Sequence, residues 1–233
     1  VERWFPVGQW ALPSSVSSTG LSLGAAAAAP IFSIVILNYG WRASFLVFVP
    51  VGLLFFSIWW WYARDNPREH PAMSEAELEK IEANRSGLTQ DAGYGAWRQL
   101  LGHRETLLLA SAYFTHNFVF YSFATWFFHY LVNVLGFGII ESGMLAAAPW
   151  LMGAVAATIG GWVCDTLCHR LGPKLGCRIP AMSGLIGTAI FLYLGLYASS
   201  PYVAVALLSL CYACTQFAEG SFWSAQIHLA GPY

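Results

Sequence analysis

The sequence predicts an all-α membrane protein with six transmembrane helices, and three observations carry that prediction. Charged residues make up 10% of the 233 positions, against a typical ~25% in soluble domains. Six stretches, roughly 17–37, 43–63, 107–131, 140–163, 179–198 and 202–227, each offer the ~20 mostly apolar residues needed to cross a bilayer core. None alternates polar and apolar side chains with the period of two that marks a barrel strand, and lipid tolerates only helices or closed barrels. Other classes fall away on composition. With 11 Trp, 11 Tyr and 16 Phe the chain cannot stay solvated and disordered. Five Cys make no disulfide scaffold, and a net charge of −1 gives no footprint for nucleic acid.

The elements justify themselves in order. Gly20-x-x-x-Gly24-x-x-x-Ala28 gives the first span a small-residue stripe that predicts close helix contact. Pro30, Pro50 and Pro149 lie inside spans, where membrane helices tolerate them. Residues 64–106 form the one substantial soluble segment: Pro67 and Pro71 end the second helix, and Ser74-Glu75-Ala76-Glu77 is a capping box opening a short amphipathic helix through Ile81 and Arg85. The fourth span carries a second stripe, Gly153-x-x-x-Ala157-x-x-x-Gly161. Ten of the eleven basic residues fall before the first span, between the second and third, or between the fourth and fifth; only Arg42 lies in an alternate loop. The positive-inside rule makes that side, and both ends of the chain, cytoplasmic. Val1 at the start, no signal peptide, and a stop at Tyr233 directly after a span are read as a fragment of a longer protein.

Polar residues inside the spans are costly in lipid and are therefore functional candidates. Tyr113, His116, Asn117, Phe120, Tyr121 and Ala124 recur at helical spacing and place an imidazole, a carboxamide and two phenols on one face of the third span. The competing reading is a helix–helix hydrogen-bonding face. His129 and Asn133 lie near its outer end and read as interfacial. Glu219 is the one carboxylate well inside a span, with Gln216 and Trp223 at i−3 and i+4. It reads either as a proton-coupling group or as a protonated carboxyl bonding two helices. Cys164, Cys168, His169 and Cys177 cluster near one end of two spans but match no metal or haem spacing, so they read as buried small hydrophobes and no metal is expected. Cys211 and Cys214 sit mid-helix and read as structural. No phosphate loop, nucleophile elbow or His-Glu-x-x-His motif appears, and neither an enzyme nor a cofactor is expected.

Several motifs resemble one family. Gly40-Trp41-Arg42-Ala43-x-Phe45, Pro67-Arg68-Glu69-His70-Pro71 with Ser74-x-x-Glu77-Leu78-x-x-Ile81, Tyr113-Phe114-x-His116-Asn117-Phe118-Val119-Phe120-Tyr121, Trp126-x-x-x-Tyr130-Leu131 and Gly160-Gly161-x-x-x-Asp165 are similar to the anion:cation symporter family of the major facilitator superfamily. The resemblance covers essentially the whole chain and implies helices five to ten of a twelve-helix transporter fold. Residues 1–63 would be the last two helices of the N-terminal half, 64–106 the cytoplasmic central loop, and 107–233 the first four helices of the C-terminal half.

The resemblance implies a secondary active transporter that moves a small organic anion, a sugar acid or an aromatic or dicarboxylic acid, by cation symport with H+ or Na+ and alternating access. It implies a multi-pass protein of the cell's inner membrane, embedded in the lipid bilayer, acting as a monomer and without a nucleic-acid partner. Tyr113, His116, Asn117, Phe120, Tyr121, Gln216 and Trp223 would bind substrate and Glu219 would couple the proton. Asp165, placed near Arg178 and the N-terminus of the fifth span, would gate. His116 would face the anion: a bound carboxylate favours the imidazolium, so binding would strengthen as the pH falls toward about 6. The family's pattern is departed from at Gln9-Trp10, where an acid-base pair is usual, and at Phe128, Thr166 and His228. These departures favour the alternative, a non-transporting membrane sensor or scaffold. Charged residues in helices one and four of the full protein would discriminate the two.

Overall fold

The structure, a computed structural model, describes residues 4–5, 9–71, 73–83 and 103–230. All regular structure among them is helical, and six long helices dominate: α1 (Ala11–Tyr39), α2 (Trp41–Tyr62), α4 (Arg104–Asn133), α5 (Ile139–Leu171), α6 (Pro173–Leu196) and α7 (Pro201–Ala230). Each overlaps one predicted span and runs past it at one end or both, because the polar residues flanking an apolar core still continue the backbone ladder. Five of the six are both long and apolar enough to cross a membrane. The exception is α4. It has the length, 30 residues, but Tyr, Trp, Thr, His and Asn replace aliphatic residues along it, so its apolarity falls short where the sequence was read as a span.

Between α2 and α4 the chain makes a 3₁₀ turn at Pro67–Glu69 and a short helix, α3 (Glu75–Ala83). The capping box forms as the spacing predicts: the Glu77 backbone N–H donates to Ser74 Oγ at 3.3 Å, and Ser74 N–H donates back to Glu77 Oε2 at 3.4 Å. Ile81 is buried beneath α3, while Arg85 lies outside the described residues. His70 is held edge-on by Tyr62 and Trp4, with ring centroids 4.8 and 5.7 Å away, so the turn is anchored to the end of α2. Arg64 Nη1 donates to the carbonyls of Trp61 and Ala63 and closes that helix end.

α5 is the central helix, packed against α1, α6 and α7. Its small residues set the distances. A Cβ at Gly160 would run into the Phe217 carbonyl of α7, and one at Gly153 would lie 2.6 Å from Tyr212. On the opposite side a Cβ at Gly161 would meet Ser15 Oγ of α1 at 2.5 Å. Thr19 and Thr158 hydroxyls meet at 2.9 Å on the same seam. The fourth-span stripe is therefore the packing stripe the sequence predicts. The first-span stripe is not: nothing approaches a Cβ built at Gly20 or Gly24, and α1 packs instead through Ser15, Ser22, Ala26 and Ser33. Serine packs as closely as alanine and can return its hydroxyl to the preceding turn, as Ser33 does to Ala29 O at 3.0 Å, which is why glycine spacing alone pointed to the wrong face. α2 touches α1, with Phe32 stacked on Phe48 at 4.7 Å, and buries only Ser44.

Two of the joints between helices are one residue long. Gly40 (φ 80°) joins α1 to α2 and Gly172 (φ 81°) joins α5 to α6, and a reversal this abrupt needs a left-handed conformation that only glycine adopts without strain.

Candidate functional site

A cavity of 460 Å³ opens between α4, α7 and the first half of α1, within the usual range for small-molecule sites. Tyr113, Asn117, Phe120 and Tyr121 of α4, Gln216, Glu219 and Trp223 of α7, and Ser14, Ser17, Ser18 and Leu21 of α1 line it. Seven of the eight residues singled out from the sequence for binding or coupling thus share one wall. The eighth, His116, does not line it. Its side chain is 1% exposed and lies behind Glu219, with Nε2 2.5 Å from Oε2. That contact is close without the alignment of a hydrogen bond, and Nδ1 also has no hydrogen-bond partner among the described residues. Tyr113 stacks on one face of the imidazole (centroids 5.6 Å, planes 11° apart) and Phe222 closes another side at 5.1 Å.

The reason lies in helix geometry. His116 and Asn117 are neighbours in sequence, so they point about 100° apart around α4. Asn117 faces the cavity and donates Nδ2 to Tyr113 O at 3.0 Å, while His116 turns into the α4–α7 contact. His116, expected from the sequence to face a bound anion, does not line the cavity and meets Glu219 instead.

Glu219 gathers donors. Trp223 Nε1 donates to Oε1 at 2.7 Å and Tyr113 Oη to the same oxygen at 3.5 Å. Trp223 is one helical turn beyond Glu219, so α7 itself fixes that bond. Gln216 donates Nε2 to Ser22 Oγ of α1 at 3.4 Å and leaves Oε1 buried without a partner among the described residues. Phe120 lines the cavity and is backed by Trp150 and Tyr212, which do not reach it, with ring centroids 5.0–6.0 Å apart. Tyr121, 61% exposed, is the outermost of the group. Among the described residues no Lys or Arg lines the cavity, so its local charge is decided by Glu219 and by the imidazole behind it.

The lining residues that the sequence reading does not single out are Leu21 and the hydroxyls of α1. The run Ser14-Ser15-x-Ser17-Ser18 was the available signal. Its small polar side chains cost little in a span and were passed over in favour of the glycines beside them.

Asp165 lies in the last turns of α5 and faces α1 rather than Arg178. Its carboxylate accepts the backbone N–H of Ala11 at 3.1 Å and of Leu12 at 2.9 Å, capping the N-terminus of α1. Arg178 is exposed on α6 and, among the described residues, no ion pair joins it to Asp165. The first-turn amides of α1 attract the carboxylate through unsatisfied N–H groups and the helix dipole. Two positions that depart from the family's pattern also meet here. Trp10, buried, packs its ring 4.8 Å from that of His228.

Comparison with known proteins places the chain. The family model for the Major Facilitator Superfamily matches residues 1–231. The chain is 32% identical over 217 residues to the probable anion transporter 4, chloroplastic, of Oryza sativa subsp. japonica, covering 93% of this chain and 36% of that protein. It is 31% identical to the chloroplastic ascorbate transporter of Arabidopsis thaliana (93% and 39%) and 26% identical to the hexuronate transporter of Bacillus subtilis (96% and 52%). It therefore spans between about a third and a half of the length of these relatives.

Proposed function

The chain belongs to the Major Facilitator Superfamily and, within it, to the anion:cation symporter family, and from that premise we propose that it forms part of a proton-coupled carrier of an organic anion. The observation that carries this reading is Glu219 in the wall of the cavity with the buried imidazole of His116 directly behind it. With one proton the pair is neutral overall. With two it carries a positive charge beside the cavity, and with none a negative one. An anion is favoured beside the doubly protonated pair and repelled by the deprotonated one, so proton and anion enter together.

The donors around Glu219 favour H+ over Na+. Hard cations take oxygen ligands, whereas the contacts of this carboxylate are an indole N–H, an imidazole and a phenol. Tyr113, Asn117, Gln216 and the serines of α1 supply neutral donors and acceptors suited to the hydroxyls of a sugar acid, and Phe120 supplies an apolar surface. Several relatives carry compatible names: one is a hexuronate transporter and another a probable L-galactonate transporter.

In this reading α1 and α2 end one half of a twelve-helix fold, and α4 to α7 begin the other. The two rock about the midplane cavity, and the capping of α1 by Asp165 closes one access state. The basic face of the loops is cytoplasmic, the protein lies in the cell's inner membrane, and it works as a monomer. Uptake of a labelled sugar acid into proteoliposomes holding the full-length carrier, with and without an inward proton gradient, tests the proposal. Accumulation with the gradient and equilibration without it is expected; equal uptake in both would overturn proton coupling.

A further inference from the structure

Three of the five cysteines meet in one buried place. Cys164 and Cys168 lie one helical turn apart on α5, and Cys177 reaches them from the first turns of α6. The Sγ atoms of Cys168 and Cys177 are 3.6 Å apart, those of Cys164 and Cys177 3.9 Å, and all three fall within 4.8 Å of one another. All three are free thiols. Their exposures are 0%, 7% and 5%, for Cys164, Cys168 and Cys177 in turn, and Ala11 and Ala225 complete the surround. From α7, Ser224 brings Oγ to 3.5 Å from Cys177 Sγ.

We propose that Cys164, Cys168 and Cys177 form a binding site for one thiophilic divalent metal ion, with Ser224 or water in the fourth position. The spacing fits such an ion. A zinc–sulfur bond of ~2.3 Å puts the sulfurs of a tetrahedral site about 3.8 Å apart and those of a trigonal one about 4.0 Å apart. Two of the three separations already match within a few tenths of an ångström. Thiolates select soft and borderline metals. The positions are also pre-set: Gly176 lets α6 approach so closely that any side chain there would collide with the backbone of Cys168. The cysteine neighbouring that glycine is thus aimed at the other two by main-chain packing rather than by flexible rotamers. Binding follows M2+ + 3 RSH → M(SR)3− + 3 H+, with no oxidant needed. The sequence shows these cysteines as a cluster without a metal-site spacing; the antiparallel return of α6 is what brings their sulfurs within reach of one ion.

Cd2+ is the probe, because its thiolate complexes absorb in the near ultraviolet. The full-length carrier, reduced and in detergent, should give a charge-transfer band that saturates at one Cd2+ per chain and should shield the three thiols from alkylation, read by peptide mass spectrometry. Cys164→Ser, Cys168→Ser and Cys177→Ser should each weaken binding at least tenfold, while the Cys211→Ser/Cys214→Ser double variant should bind as the parent does. Thermal unfolding of each variant separates loss of the site from loss of the fold, and the alkylation readout on the unmutated protein stands regardless. No band at one equivalent would overturn the proposal. So would alkylation unaffected by Cd2+, or a Cys168–Cys177 disulfide in protein purified without reductant.

Discussion

Glu219→Gln separates proton coupling from anion recognition. The carboxylate has two short contacts, Trp223 Nε1 at 2.7 Å and His116 Nε2 at 2.5 Å. A glutamine can keep the indole bond as a neutral one, its carbonyl accepting from Trp223 Nε1, and can place its amide against the imidazole. Charge-assisted bonds are roughly twice as strong as neutral ones, so the change costs about 1–2 kcal/mol of local stability, which a folded carrier tolerates. What is lost is the carboxyl's proton. One proton carried with each anion across one unit of pH gradient corresponds to about 1.4 kcal/mol, or a limit of roughly tenfold accumulation. In proteoliposomes with an inward gradient of one unit, the unmutated carrier should approach that limit and Glu219→Gln should plateau near unity. Exchange of labelled for unlabelled anion without a gradient should stay within about threefold, because the cavity and its neutral donors remain. Gradient-driven accumulation in Glu219→Gln equal to that of the parent would refute the assignment of coupling to this pair.

Three further perturbations have defined outcomes. His116→Gln takes away the basic partner of Glu219, so anion binding near pH 6 should weaken and its pH dependence flatten; affinities unchanged at both pH 6 and pH 8 would leave His116 as packing between α4 and α7. Asp165→Asn weakens the cap on α1 by about 1 kcal/mol, and should slow transport roughly fivefold with little change in substrate affinity; an unchanged rate would reject a gating role. Gly160→Ala forces a methyl into the Phe217 carbonyl and should cost about 1–3 kcal/mol, seen as a lower thermal unfolding midpoint in detergent; an unchanged midpoint would mean that α5 and α7 can separate freely at this crossing.

Local periodicity made the helices legible, because lipid enforces a length and an apolarity that survive in sequence without any alignment. The polar stripe of α4 and the Gln216-x-x-Glu219-x-x-x-Trp223 face of α7 were legible for the same reason: both are repeats within one helix. What was not legible depends on how helices meet. Neighbours on one helix diverge by about 100°, so whether His116 or Asn117 faces the cavity is set by the rotation of α4 against α7. Gly20 and Gly24 carried a packing signature, yet α1 turns its serines to α5 instead. Asp165 caps a helix more than 150 residues away, and no spacing rule links a carboxylate to so distant a pair of amides. The thiols were visible as a cluster in the sequence, but the close approach of their sulfurs depends on the same kind of non-local return.

The glycine joints bear on how the chain enters the membrane. A single residue spans at most about 3.6 Å, so the adjoining ends of α1 and α2 stay within one bilayer leaflet, as do those of α5 and α6. Neither pair can insert one helix and leave the other waiting in water, since the second has no tether long enough to lie elsewhere. Each should leave the translocon as a preformed hairpin. A topology reporter fused within α2 should then read the same orientation however many of the later helices have been synthesised.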